Sequence, residues 1–117
     1  MKIKDVNGVC IVDIEGKSIS KADITKLKDL QTKYTRSKRI GINLENVQSV
    51  NIDFLDFLKA SFERNKKISL YNLSNEVFLS LLVLKYDRYA DIYMNKIDFK
   101  EEKHSILYRR LKLIKAA

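Results

Sequence analysis

The sequence predicts a single α/β domain in which a mixed β-sheet of four to five strands packs with about four helices. Two observations indicate this fold class. Short β-prone runs alternate with amphipathic stretches along 117 residues, in the order β-β-α-β-α-β-α-β-α. The chain has no proline and only three glycines, so few residues interrupt these elements. We expect one domain over residues 1–117, because this length suits one core without disulfide or metal support.

The first two strands are predicted at residues 2–6 and 9–14. The pair Asn7-Gly8 between them is typical of a tight hairpin turn. Apolar side chains alternate on both sides of the second run, so this strand is expected to lie inside the sheet.

The first helix is predicted after Ser18-Ile19-Ser20, which offers hydroxyl groups for its N-cap. Apolar residues then recur at helical spacing: Ile24, Leu27, Leu30 and Tyr34. A third strand follows at residues 40–44, where apolar residues alternate with small or polar ones.

The second helix is predicted from a stripe formed by Leu55, Leu58 and Phe62, with Phe54 and Phe57 beside it. A strand at residues 67–71 follows.

Ser74 is predicted to cap a third helix with a core stripe of Val77, Leu81 and Leu84, and Phe78 is a further candidate for this stripe. The apolar run 81–84 is wider than such a stripe needs, so part of it is expected to be exposed at an interface, and a homodimer is one option. A short strand at residues 91–94 and a basic amphipathic helix at residues 98–115 complete the chain.

Three short motifs, in this order, resemble the STAS domain of anti-sigma factor antagonists. Asn43-Leu44-Glu45-Asn46-Val47 is similar to the end of the family strand that precedes its phosphorylation motif. Leu73-Ser74-Asn75-Glu76-Val77 is similar to the start of the family's third helix, and Asp91-Ile92-Tyr93 to its last strand. Gly16 stands where the family has a glycine. The resemblance covers residues 7–95 and implies the same α/β fold.

The resemblance also implies a degenerate phosphorylation motif. Aligned without gaps from Asn43, Asp53 falls on the serine that is phosphorylated in switchable family members. A shift of two residues would put Leu55 there instead. Neither residue has a hydroxyl group, so phosphorylation at this position is not expected. Asp53 could supply a permanent negative charge in place of phosphoserine, or it could simply cap the helix.

By resemblance, the expected function is that of a non-catalytic interaction module that binds an anti-sigma factor or serine-kinase-type protein in a partner-switching system. The predicted contact surface is the start of the second helix with the loop before the first. Phe54 and Phe57 are predicted to be its apolar anchors. The residues assigned to this surface are Asn51, Asp53, Phe54, Asp56, Phe57, Lys59, Lys17, Ser18 and Ser20.

Other functions have weaker support in the sequence. No nucleophile or glycine-rich phosphate loop is apparent, so we expect no enzyme activity and no cofactor. Cys10 and His104 are the only soft metal ligands, and no metal site is predicted.

The net charge of +8 includes five cations and no acid from Lys103 to the last residue. This basic segment keeps two alternatives open: a STAS subunit of a membrane transport complex, and, with less support, a nucleic-acid-binding domain. A single cysteine, no apolar N-terminal segment and no run long enough to cross a bilayer favour a cytoplasmic location.

Overall fold

The computed structural model describes residues 1–6, 8–33, 39–66 and 68–102. It confirms the predicted fold class and the order of the elements. The strands are β1 (Lys2–Val6), β2 (Val9–Asp13), β3 (Arg39–Asn43), β4 (Ile68–Tyr71) and β5 (Ala90–Tyr93). The helices are α1 (Lys21–Lys33), α2 (Ile52–Glu63), α3 (Asn75–Val83) and α4 (Lys96–Lys100), with a 3₁₀ turn at Asp87–Tyr89 before β5.

The five strands form one sheet in the order β1-β2-β3-β4-β5. β1 is antiparallel to β2, and all later pairs are parallel. Gly8, with a φ of 79°, lies in the β1–β2 turn, as expected for a tight hairpin. Each of α1, α2 and α3 connects two neighbouring parallel strands. Because such crossovers are right-handed, all three helices cover the same face of the sheet.

The main core lies between the sheet and these three helices. Cys10 and Val12 point into it from β2, whereas Ile11 points to the opposite face, so β2 is apolar on both sides as predicted. α1 contributes Ile24, Leu27 and Leu30. Ser20 and Ser74 accept hydrogen bonds from backbone N–H groups three residues later, which confirms them as helix N-caps.

The opposite face of the sheet has a small second core built around Phe99 of α4. Its ring stacks on Tyr71 with centroids 5.3 Å apart and meets Tyr93 edge-on at 5.7 Å. The ring lies directly over Gly41, where a Cβ would approach its atoms to 2.4 Å. Arg39 also packs on Phe99, with its guanidinium carbon 4.3 Å from the ring centroid. The missing side chain of Gly41 therefore makes the space that Phe99 fills.

Several sequence predictions differ from the structure. Leu84, predicted in the core stripe of α3, is 52% exposed because the helix ends at Val83, whereas the further candidate Phe78 is fully buried. Phe62 is 41% exposed because it lies at the end of α2, beyond the buried part of the stripe. α4 begins at Lys96 and ends at Lys100, followed by a turn in which Glu102 has a φ of 58°. The rest of the helix predicted over residues 98–115, like Tyr34, lies outside the described residues.

Candidate functional site

Asn51 fixes the start of α2 with both ends of its side-chain amide. Its Oδ1 accepts a hydrogen bond from the backbone N–H of Phe54 at 3.0 Å, so Asn51 is the N-cap. Its Nδ2 donates to the backbone carbonyl of Ile19 at 2.7 Å. The alternative in which Asp53 caps this helix is therefore wrong. The Ile19 bond places the loop of residues 17–20 beside the start of α2, as the predicted surface requires.

Asp53 and Asp56 line one wall of a groove between α1 and α2. Lys21 and Lys28 line the opposite wall, on α1. The groove encloses about 420 Å³, and its other lining residues are Ile24, Thr25, Phe57 and Ala60. One helix thus contributes acids and the other contributes bases to the same open groove.

A buried hydrogen bond holds the two walls of this groove together further along the helices. Gln31 of α1 donates from Nε2 to Ser61 Oγ of α2 at 2.8 Å, and Ser61 Oγ donates to the Phe57 carbonyl at 2.7 Å. Both Gln31 and Ser61 are buried. Because buried polar groups are costly to leave unpaired, this contact fixes how α1 and α2 sit side by side.

Phe54 and Phe57 are not surface anchors, so this part of the sequence prediction is wrong. They are 0% and 2% exposed, and their rings stack with centroids 6.3 Å apart. α2 packs against the sheet along the face that carries Phe54, Phe57 and Leu58. Both residues belong to the main core, and Phe57 also lines the α1–α2 groove.

Ile52 is the apolar residue that this part of the surface does expose. It opens α2 and is 62% exposed, next to the half-buried Asp53. Sequence reasoning missed it as an anchor, because an isoleucine three residues before Leu55 reads as part of the core stripe. A helical projection could have found it, since Ile52 lies on the same side as the exposed residues Asp56, Lys59 and Glu63.

The loop before α1 is exposed at Lys17, Ser18 and Ser20, as predicted. Ser20 is committed to capping α1: its hydroxyl accepts from the Asp23 backbone N–H at 3.1 Å, and Asp23 Oδ2 accepts from the Ser20 N–H at 3.2 Å. The Lys17 carbonyl accepts from the Gln48 N–H at 2.8 Å. The loop is thereby tied to the segment that leads into α2.

A second cleft lies beside this loop, at the edge where the parallel strands end. It encloses about 370 Å³, and acids predominate over Lys17 among its charged residues: Glu15, Glu45 and Glu76. The edge at the carboxyl ends of the strands is therefore acidic.

Polar side chains at the ends of β2, β3 and β4 form a hydrogen-bonded cluster. Asn43 Nδ2 donates to Asp13 Oδ1 at 3.0 Å, and Asn43 Oδ1 accepts from Asn72 Nδ2 at 3.2 Å. The nearby Tyr71 hydroxyl is buried and makes no hydrogen bond to the residues that the structure describes. Burial, and secondarily the charge of Asp13, raises the pKa of Tyr71 to about 12. These groups hold the strand ends in place and offer no nucleophile.

Two further observations bear on metals and membranes. Within residues 1–6, 8–33, 39–66 and 68–102, no group of three or more His, Cys, Asp or Glu side chains is arranged to hold a metal ion. In the same part of the chain, no helix has the length and apolar character needed to cross a bilayer.

Comparison with known proteins supports a shared fold. No protein-family model matches the sequence, and no curated protein matches it. The NMR structure of a protein from Thermotoga maritima is similar to this chain, with TM-score 0.70 and 19% identity. The match covers 86% of this chain and 85% of that chain. Its crystal structure, described as that of a candidate anti-sigma factor antagonist, gives TM-score 0.65, 19% identity and coverage of 86% and 92%.

An anti-sigma-factor antagonist (STAS) domain protein from Planctomyces limnophilus is also similar. Its TM-score is 0.66 at 15% identity, with coverage of 83% of this chain and 91% of that chain. The resemblance predicted from the three sequence motifs is therefore confirmed at the level of the fold.

Proposed function

We propose, starting from the fold shared with STAS-domain proteins, that this protein is a non-catalytic interaction module of a partner-switching system. Its partner in this proposal is an anti-sigma factor or a serine-kinase-type protein in the cytoplasm. The observation that carries the proposal is the start of α2, where an exposed aliphatic side chain, Ile52, is followed by Asp53, which lines the α1–α2 groove. In protein interfaces a few anchor residues carry most of the binding energy and are surrounded by a polar rim.

Asp53 is the favoured equivalent of the family phosphoserine. It lies in the first turn of α2, where unpaired backbone N–H groups favour a negative charge, and it is half-buried at the groove. Leu55, the alternative, is 4% exposed and belongs to the core. A carboxylate carries about one negative charge, against about −1.5 to −2 for a phosphate. In this proposal Asp53 keeps the surface permanently in a state similar to the phosphorylated one.

The charges of the groove favour a partner segment with acids and bases on opposite sides. Lys21 and Lys28 would meet acids of the partner, while Asp53 and Asp56 would meet its bases. Ile52 would fill an apolar pocket of the partner, and Lys59 would lie at the rim. Such charge matching favours one orientation of the bound segment over its reverse.

The proposal is tested by affinity capture from a lysate of the source organism, read by mass spectrometry. The baits are the wild-type protein, Asp53→Ser, Ile52→Asp and the matched control Ile97→Asp. Ile97 is 65% exposed on α4, on the opposite face of the sheet, so both aspartates replace a similarly exposed isoleucine.

We expect the wild-type bait to recover an anti-sigma factor or kinase-type protein. This recovery should be lost with Ile52→Asp, altered with Asp53→Ser and kept with Ile97→Asp. Equal recovery with all four baits would refute the assignment of the surface. Recovery of transporter subunits instead would replace this proposal with the transport alternative.

A further inference from the structure

The ends of α2 and α3 form a second surface, at the opposite edge of the sheet from the proposed partner site. We define the basic corner as Phe62, Val83 and Leu84 together with Arg64, Lys85 and Arg88. Phe62, at the end of α2, contacts Tyr89 of the 3₁₀ turn that follows α3, with ring centroids 5.4 Å apart. Tyr89 in turn meets Tyr86 at 5.4 Å, and Arg88 lies 4.9 Å from the centroid of the Tyr89 ring. These ring contacts join the end of α2 to the turn that follows α3.

Three apolar side chains of the corner are in contact with solvent. Val83 is 76% exposed, Leu84 52% and Phe62 41%. Leu79, one turn before Val83 on the same side of α3, is also 46% exposed. Exposed apolar side chains next to cations are the groups by which peripheral proteins enter the interfacial layer of a membrane.

Exposed cations follow these apolar groups closely in the chain. Arg64, Lys85 and Arg88 are exposed, and Lys66 adds a fourth cation just beyond the end of α2. The acids in the same two segments are Glu63 and Asp87. Acids predominate at the opposite edge of the sheet, where Glu15, Glu45 and Glu76 line a cleft together with Lys17. An anionic surface would attract the basic corner and repel that edge, which fixes one orientation.

Lys85 follows the C-cap residue of α3 and has a φ of 63°, in the left-handed region where glycine is usual. A lysine at this position is unfavourable for the backbone.

We propose that the basic corner is a peripheral binding surface for membranes that contain anionic lipids. The aliphatic and aromatic side chains enter the interfacial layer, and the surrounding cations contact lipid phosphates. In this orientation α2 stands away from the membrane. Its 12 residues separate the corner from the start of α2 by about 18 Å. The surface around Ile52 and Asp53 then faces the solvent and stays accessible to a protein partner.

The test is flotation of the full-length protein with vesicles of phosphatidylcholine alone or with about 30% phosphatidylglycerol, which supplies the anionic charge. The first variant is Val83→Ser with Leu84→Ser, which leaves the charge unchanged. The second is Lys85→Glu with Arg88→Glu. The matched controls on α4 are Ile97→Ser and the pair Lys96→Glu with Lys100→Glu, all at exposed positions. Far-UV circular dichroism checks that every variant is folded.

We expect binding to the anionic vesicles only, weakened at least about tenfold by each corner variant and less than about twofold by the controls. If all variants retain vesicle binding, the proposal is refuted, and the binding is assigned to the basic segment after Glu102. Absence of vesicle binding would also refute it.

Light scattering after size-exclusion chromatography separates one further outcome. A dimer that is lost with Val83→Ser and Leu84→Ser, without vesicle binding, would show that the corner binds a second copy. The proposal does not depend on the partner assigned to the start of α2, and the capture experiment with Ile52→Asp is read independently of it.

Discussion

Replacing Gly41 with alanine is expected to destabilise the protein, because the new methyl group would overlap the ring of Phe99. An added Cβ would lie 2.4 Å from Phe99 Cζ and 2.5 Å from Cε2, whereas carbon atoms in favourable contact are about 3.5–4.0 Å apart. The ring has little room to move, since it is fully buried between Tyr71 and Tyr93. Overpacking of this kind costs about 1–3 kcal/mol.

The size of the effect follows from removing each group in turn. Phe99→Ala alone should cost about 3–5 kcal/mol, the usual range for a buried phenylalanine. Without the ring, the methyl group of Gly41→Ala has space. The backbone at Gly41 is outside the left-handed region, so alanine should then stabilise by about 0.4–1 kcal/mol through the unfolded state. The substitution should therefore change sign between the two backgrounds, with a coupling free energy of about 1.5–4 kcal/mol.

The assay is urea unfolding followed by far-UV circular dichroism for the wild-type protein, both single variants and the double variant. Ile97→Ala serves as the matched control, because Ile97 lies on the same short helix but is 65% exposed. Gly41→Ala should cost the same in that background as in the wild type. An equal cost of Gly41→Ala in the presence and absence of the Phe99 ring would refute the contact.

Three further predictions concern single side chains. The pKa of Tyr71 is about 12 in the folded protein, against 10.0 for an ordinary tyrosine. The protein therefore keeps its full stability below pH 10, and its free energy of unfolding falls by up to roughly 3 kcal/mol as the pH rises from 10 through 12. Unfolding curves of wild type and Tyr71→Phe should therefore diverge above pH 10; parallel curves would contradict the burial of the hydroxyl. Asn51→Ala removes the N-cap bond and the bond to Ile19 and should cost about 1–3 kcal/mol in urea unfolding, while Asn51→Asp keeps the cap and should cost less. Lys85→Gly should raise the free energy of unfolding by about 1 kcal/mol, because glycine adopts the left-handed conformation without strain. The same variant should weaken vesicle binding. A loss of stability would show that contacts of the Lys85 side chain stabilise the fold.

The two surfaces proposed for this protein differ in how they could be inferred. The start of α2 was located by motif resemblance, but the residues that face the solvent there are Ile52, Asp53 and Asp56 instead of Phe54 and Phe57. The apolar run 81–84 predicted an exposed patch at the end of α3, and Val83 and Leu84 are exposed there. Only the folded chain shows that parallel strand order brings the end of α2 to the same edge of the sheet.

The sequence by itself determined the order of strands and helices, the turn at Gly8 and the capping residues Ser20 and Ser74. These features depend on interactions within a few residues along the chain, so local patterns are enough to predict them. α2 is an element for which local patterns are not enough. It has apolar residues on more than one side, and local spacing cannot decide which side is buried.

Tertiary packing determines which side of α2 is buried. The sheet covers Phe54 and Phe57, which leaves Ile52 exposed, and Asn51 caps α2 while also binding Ile19. The fit of Phe99 over Gly41 joins segments that are far apart in sequence. Which side chains become core and which become surface depends on the segments that pack against them, and only the folded chain brings those segments together.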